Sequence, residues 1–258
     1  MKKVLIYRDY GCSDLTALTK ELKGFFEPKG ISVDYTDAKS IVHEDALNKD
    51  VVAFFMPGGA GTPYRQKLEN QGNEKIYDYV KNGGVYFGIC AGAYYACKKI
   101  EFETDIKELK IVSECGLDLV EGRAIGTLYK ELDLKPFARD ANSSAVVRLG
   151  VKGEEGELVS HYHGGPYFDI VEDGKQKIEA TYKDVEGEPP AIISKELGKG
   201  LVILSGVHIE DKGEDLKKVI HDKRADKDRA MTIANILIKQ EEKRETLFLK
   251  MMNKVIQR

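Results

Sequence analysis

The chain has 258 residues, of which 42% are hydrophobic and 32% charged, and its formal net charge is −3. That length suits one large α/β domain, or one domain with an added lobe, and is ample for a sizeable core. A basic excess that could neutralise phosphates is lacking, and no apolar run approaches the ~18 residues of a membrane span, so neither nucleic acid nor membrane is expected as a partner.

The opening KKVLIYRD is short, apolar and β-branched, and reads as a first strand rather than a signal peptide. Ser13 is placed to cap a helix over SDLTALTKELKGFF, with Leu15, Leu18, Leu22 and Phe25 at helical spacing. ISVDYTD reads as a second strand, and the wholly apolar VVAFFMP as a third, covered on both faces. A helix starting near Thr62-Pro63 is expected to stop at Gly83-Gly84. VYFGI is a fourth buried strand ending at Cys90, followed by a helix opening AGAYYACKK. From about 100 to 195 the pattern is less regular: AVVRLG, ELVSHYH, KIEATYKD and PAIISKE read as antiparallel strands on one edge, separated by turns. KGLVILSGVHIE returns to an apolar strand, and a charged helical segment closes the chain. Its stripe of Ile233, Ile236, Leu237, Leu247, Met251 and Val255 is expected to dock on the domain, the alternative being a protein partner. Alternating strands and helices predict βαβ units and a mainly parallel sheet.

Four cysteines, Cys12, Cys90, Cys97 and Cys115, form neither a Cys-x-x-Cys metal pair nor a dense disulfide pattern, so free thiols in a reducing cytoplasm are expected. Cys90 is the one that can do chemistry. Gly88-Ile89-Cys90-Ala91-Gly92 lies between a buried strand and a helix, the setting of a nucleophile elbow, where the residues two before and two after must be small. The helix start favours a thiolate and a developing oxyanion, with the Ala91 N–H as first donor. The competing reading is a small buried thiol in a tight turn. Two segments favour reaction. In MPGGAGTP, Gly58, Gly59 or Ala60 can supply a second oxyanion donor. In LSGVHIE, His208 and Glu210 fall on one face of a strand, so that His208 can take the thiol proton while Glu210 orients its ring.

GGVYFGICAGAYYAC, FMPGGAG and LSGVHIE resemble the class I glutamine-amidotransferase-like superfamily, and within it the biotin–protein ligase N-terminal domain family and its stand-alone relatives, to which YHGGPYF (162–168) adds. The resemblance spans 1–215 and implies a flavodoxin-like three-layer α/β sandwich with a mainly parallel central sheet; to this the pattern of residues adds an antiparallel β insertion and, over 216–258 and outside the resemblance, a charged C-terminal helical extension packed on the domain. It also implies Cys90 as nucleophile, His208 as base and Glu210 as its partner. Glutaminases of the superfamily carry Gln where this chain has Tyr94, and a longer Gln-Phe-His-Pro-Glu stretch where it has Gly-Val-His-Ile-Glu, so the substrate is expected to be a small amide or related polar molecule other than glutamine. No Gly-Arg-Gly-Arg-type adenylate loop is found, so biotin ligation is not expected.

Several polar residues are candidates for contacting that molecule. Asp9, with Arg8 and Tyr10, ends the first strand on the edge that lines the crevice of a parallel sheet. His161 and His163 share a strand face; a third metal ligand is not evident, and a polar loop over the Cys90 pocket, with Tyr162 or Tyr167 against a ligand, fits better. Cys97 is expected in the core. No nucleotide, flavin or metal cofactor is implied. The rival to an enzyme is a non-catalytic ligand-binding or regulatory module on the same fold, and a third reading is a redox sensor at Cys90.

Overall fold

A computed structural model describes all residues except 104, 115, 221–224 and 258, which leaves Cys115 outside the described residues. The first third alternates strand and helix: β1 (Lys3–Tyr7), α1 (Thr16–Phe26), β2 (Ser32–Thr36), α2 (Ala38–His43), β3 (Val51–Met56), α3 (Gly61–Lys81), β4 (Val85–Ile89) and α4 (Ala91–Ala96). Strands dominate the middle: β5 (Cys97–Phe102), β6 (Ile111–Glu114), β7 (Val120–Gly126), β8 (Ser144–Val151), β9 (Glu157–His163), β10 (Tyr167–Asp169), β11 (Gln176–Tyr182), β12 (Pro190–Leu197) and β13 (Gly200–Ser205). Helices α5 (Gly213–Lys218), α6 (Lys227–Lys239) and α7 (Glu241–Ile256) complete it.

The central sheet has the order β2-β1-β3-β4-β13-β12-β11-β8-β9. Strands β2, β1, β3, β4 and β13 run parallel, and β12, β11, β8 and β9 extend the sheet antiparallel beyond β13. Each parallel core strand buries both faces because successive side chains point to opposite sides. Val4 and Ile6 enter one core with Phe55, Phe87 and Ile203, while Leu5 and Tyr7 enter the other with Phe54, Tyr86 and Val202. The first core is closed by α1 and α7, through Leu22, Phe26, Leu247 and Met251. The second is closed by α3, through Tyr64, Leu68 and Ile76.

The edge strands form where their alternation predicts, but a second, four-stranded sheet, β10-β7-β5-β6, was not anticipated. The helix after Cys90 ends after one and a half turns, at Ala96, and Cys97 turns to extended backbone (φ −79°, ψ 151°). That releases Cys97–Phe102 as a strand, and Val120, Ala124 and Phe168 of this sheet pack into the second core. Cys97 is fully buried there.

The C-terminal stripe docks on the domain, apart from Ile236, which is exposed. Arg244 of α7 is fully buried: its guanidinium donates to Glu21 Oε2 of α1 (3.1 Å), to Glu241 (2.9 Å) and to the Ile209 carbonyl (2.7 Å). The last bond ties α7 to the segment that follows β13. None of the described helices is long and apolar enough to cross a membrane.

Candidate active site

Strands β3, β4 and β13 are adjacent and parallel, and they end nearly in step: Met56 pairs with Gly88, and Ile89 with Ser205. The turns after them therefore meet at one edge of the sheet, where open parallel sheets bind ligands. These turns carry Gly58, Cys90 and His208.

Cys90 has φ 48° and ψ −106°, a strained conformation for a residue with a Cβ. The flanking glycines make it feasible. A Cβ on Gly88 would come within 2.6 Å of the Gly92 carbonyl oxygen, and one on Gly92 within 2.1 Å of the Met56 carbonyl oxygen. The turn is held at three points: Cys90 N–H donates to Ser205 O (2.9 Å), Gly92 N–H to Pro57 O (3.1 Å) and Tyr86 OH to Gly92 O (2.8 Å).

His208 lies beyond the end of β13, in an isolated antiparallel bridge with His161, rather than on the strand itself. Its Nδ1 is 2.8 Å from Glu210 Oε1 all the same, and its ring and the Cys90 side chain both border Gly58. Burial works against the imidazolium. The Glu210 carboxylate, its hydrogen bond to the ring and the interaction with Cys90 outweigh it and hold His208 well above its ordinary pKa. Gly58 faces both groups: a Cβ there would sit 3.0 Å from His208 Cε1 and 3.6 Å from Cys90 Cβ.

Among the described residues, the fold gives the N–H groups of Gly58 and Ala91 no acceptor. Ala60 departs from expectation, because its N–H already donates to Gly11 O at 2.8 Å. Gly59 holds the turn against Cys12 in an isolated bridge. Ser13 does not cap α1, which begins after Leu15. Instead its N–H and hydroxyl both donate to Gly58 O (3.0 and 3.1 Å), and Tyr64 OH joins them at 2.8 Å. Ser13 and Tyr64 thus fix the turn, a role with no signature in sequence because their partner is a backbone carbonyl 45 and 6 residues away.

The other expected contacts divide. The Cys90 thiol meets the carbonyl of His163, at 3.6 Å, whereas the His163 ring points elsewhere, with Nε2 donating to Ala138 O (2.8 Å) beside Ser143 Oγ (3.2 Å). Tyr94 is buried rather than open to a ligand: its hydroxyl donates to Gly164 O (3.3 Å) and its ring packs edge-on against Phe102. Tyr167 is half-buried on β10. Asp9 accepts from the N–H groups of Tyr10 (2.7 Å) and Ala38 (3.2 Å), which binds the end of β1 to the start of α2. Arg8 stacks over Tyr35. No group of three or more His, Cys, Asp or Glu side chains among the described residues is arranged to hold a metal.

Burial pushes His163 down to about 4, against the pull of its bond to Ala138. Its neutral form is therefore favoured by folding, so the stability it contributes is complete above pH ~6.5 and drains away as pH falls toward 4. The loss amounts to up to about 3 kcal/mol. Urea denaturation of His163→Gln across pH 4–7 is expected to show a shallower decline than the parent, and equal slopes would show that His163 does not titrate in this way.

The fold is that of solved glutamine amidotransferases. A glutamine amidotransferase of solved structure from Thermotoga maritima superposes with a TM-score of 0.59 at 14% identity, covering 99% of this chain and 96% of that one. A second solved glutamine amidotransferase gives 0.51 at 19% identity, over 80% and 90%. The chain belongs to the family described as biotin-protein ligase, N terminal, which it matches over residues 2–257. That span includes the C-terminal helices, beyond the limit at 215 expected from the motifs. An uncharacterized protein of Chlamydia muridarum is 34% identical over 215 residues, 81% of each chain. The biotin–protein ligase of Schizosaccharomyces pombe is 29% identical over 240 residues, which are 91% of this chain and 37% of the ligase.

Proposed function

We propose that the protein is a cysteine-nucleophile hydrolase or amidase acting on a small amide or related polar molecule through Cys90, His208 and Glu210. The observation that carries this reading is the strained backbone of Cys90, held by glycines beside an imidazole whose far nitrogen rests on a carboxylate. Strain of this kind persists only where the surroundings over-determine it, and it gathers at reactive sites. In the reaction, the Cys90 sulfur attacks the carbonyl carbon and His208 Nε2 accepts the thiol proton. The N–H groups of Ala91 and Gly58 stabilise the oxyanion. His208 then protonates the departing amine, leaving a thioester. Water attacks the thioester as His208 takes its proton, and the acid leaves with the thiol restored. Burial of Tyr94 under Gly164 supports a substrate other than glutamine, since the side chain at that place is occupied by the protein's own loop.

The test is a panel of small amides and activated esters, followed by intact-mass analysis after rapid acid quench. An acyl adduct on the parent protein, lost in Cys90→Ser, is the expected result; hydrolysis undiminished in Cys90→Ser would sink the reading. One observation favours a second reading, a ligand-binding module on the same fold: Cys90 is only 8% exposed, beneath the His163 carbonyl. That reading predicts saturable binding of a ligand with no turnover and no adduct.

A further inference from the structure

His208 is not part of the sheet ladder, so something else must hold it. Strand β9 does so at three points. His208 N–H donates to His161 O (2.8 Å), Ser160 Oγ donates to His208 O (3.1 Å), and His161 Nδ1 meets Asp211 Oδ2 at 2.6 Å. The third contact forms a second imidazole–carboxylate pair next to the first. His161 is nearly buried, its ring centroid 5.9 Å from that of His208 and inclined by 43°. Asp211, next in sequence to Glu210, holds the His161 ring as Glu210 holds the His208 ring, and its charge is felt at His208. Burial acts to raise the Asp211 pKa, but its bond to His161 and the neighbouring His161, His208 and His163 rings keep it below the ordinary carboxylate value.

We infer that His161 and Asp211 are positioning residues, a second imidazole–carboxylate pair that clamps the His208 segment to β9 and sets the orientation and charge of His208 at Cys90. This inference rests on the reading of Cys90 and His208 as a reactive pair. The clamp acts in two ways. It removes the freedom of a loop residue that must stay within reach of a sulfur, a displacement of about 1 Å being enough to cost 10²-fold in rate. It also supplies a negative charge that supports the His208 imidazolium. The groups facing His208 are then Glu210 and Asp211 from its own segment, His161 and His163 from β9, and Cys90 from the elbow; Asp14, before α1, faces Asp211 in turn.

The experiment is the pH profile of Cys90 alkylation by iodoacetamide, read by mass spectrometry on the full chain. It compares the parent with Asp211→Asn, Asp211→Glu, His161→Gln and His208→Ala, with thermal melts alongside. Asp211→Asn is close to isosteric, so the contact survives while the charge is lost. Asp211→Asn and His161→Gln are expected to slow alkylation at pH 7 about tenfold and to move the rise of the profile to higher pH, with Asp211→Glu recovering part of both. A purely structural clamp would change the melt and leave the profile of the folded protein in place. Parental profiles in Asp211→Asn and His161→Gln, with His208→Ala slowed, would overturn this inference alone. A parental rate in His208→Ala would overturn the underlying reading of Cys90 and His208, and this inference with it.

Discussion

Iodoacetamide at pH 7 is expected to alkylate Cys90 before Cys97, and His208→Ala is expected to slow the reaction at Cys90 by about 30-fold. The thiolate is the reacting species, and a thiol without a cationic neighbour is only about 3% ionised at that pH. Under the proposed function His208 is that neighbour, its imidazolium favoured by the Glu210 carboxylate. Cys97 starts β5 and is fully buried in the second core, out of reach of the reagent. Geometry adds to charge. Glycine at 58 leaves room beside the sulfur, since a Cβ there would sit 3.0 Å from His208 Cε1 and 3.6 Å from Cys90 Cβ. The check is peptide mass spectrometry over a time course. Modification of Cys97 first, or equal rates at Cys90 in the parent and His208→Ala, would remove the case for a reactive pair.

Gly92→Ala is expected to cost about 1–3 kcal/mol and to lower the melting temperature by roughly 2–12 °C. Its added methyl would meet the Met56 carbonyl oxygen at 2.1 Å and the Met56 Cβ at 2.9 Å, so the clash is with backbone and cannot be relieved by a rotamer change. Relief requires α4 to move from β3, which breaks the Gly92–Pro57 bond and relaxes the turn at Cys90. Loss of Cys90 reactivity should therefore accompany loss of stability. Gly24→Ala is the matched control. Gly24 lies within α1 with nothing near the position of a Cβ, and this change is expected to stabilise the protein by about 0.4–1 kcal/mol. Calorimetry on both variants decides the point; a Gly92→Ala melt equal to the parent would show that the turn is not as tight as described.

Much of this architecture was legible along the chain, for reasons tied to particular residues. Val4 to Tyr7, Val51 to Met56 and Val85 to Ile89 are short apolar runs bounded by turn residues, the pattern of strands covered on both faces. Gly88 and Gly92 announced the elbow because only glycine fits where backbone oxygens approach so closely. The second sheet was hidden for the opposite reason. AGAYYA has helical composition, but nothing local says that its helix stops at Ala96, and Gly122 and Gly126 blur the alternation of β7. Long-range pairing of β5 with β7 decided the outcome.

The same division runs through the site. His208 and Glu210 are two residues apart, so their contact could be anticipated from spacing, although the strand that spacing presumed ends at Ser205. The bond from Ala60 to Gly11, the turning of the His163 ring to Ala138 and the burial of Tyr94 against Gly164 all depend on segments brought together by folding. So does the pairing of His161 with Asp211, 50 residues apart. By itself the sequence determined the parallel α/β core, the place of the elbow and the identity of its sulfur, because those follow from local periodicity and from the steric demands of glycine. Which N–H groups stay free and what holds the His208 segment in place were decided by tertiary structure alone, because hydrogen bonds are assigned only when strand ends from distant parts of the chain share one edge of the sheet.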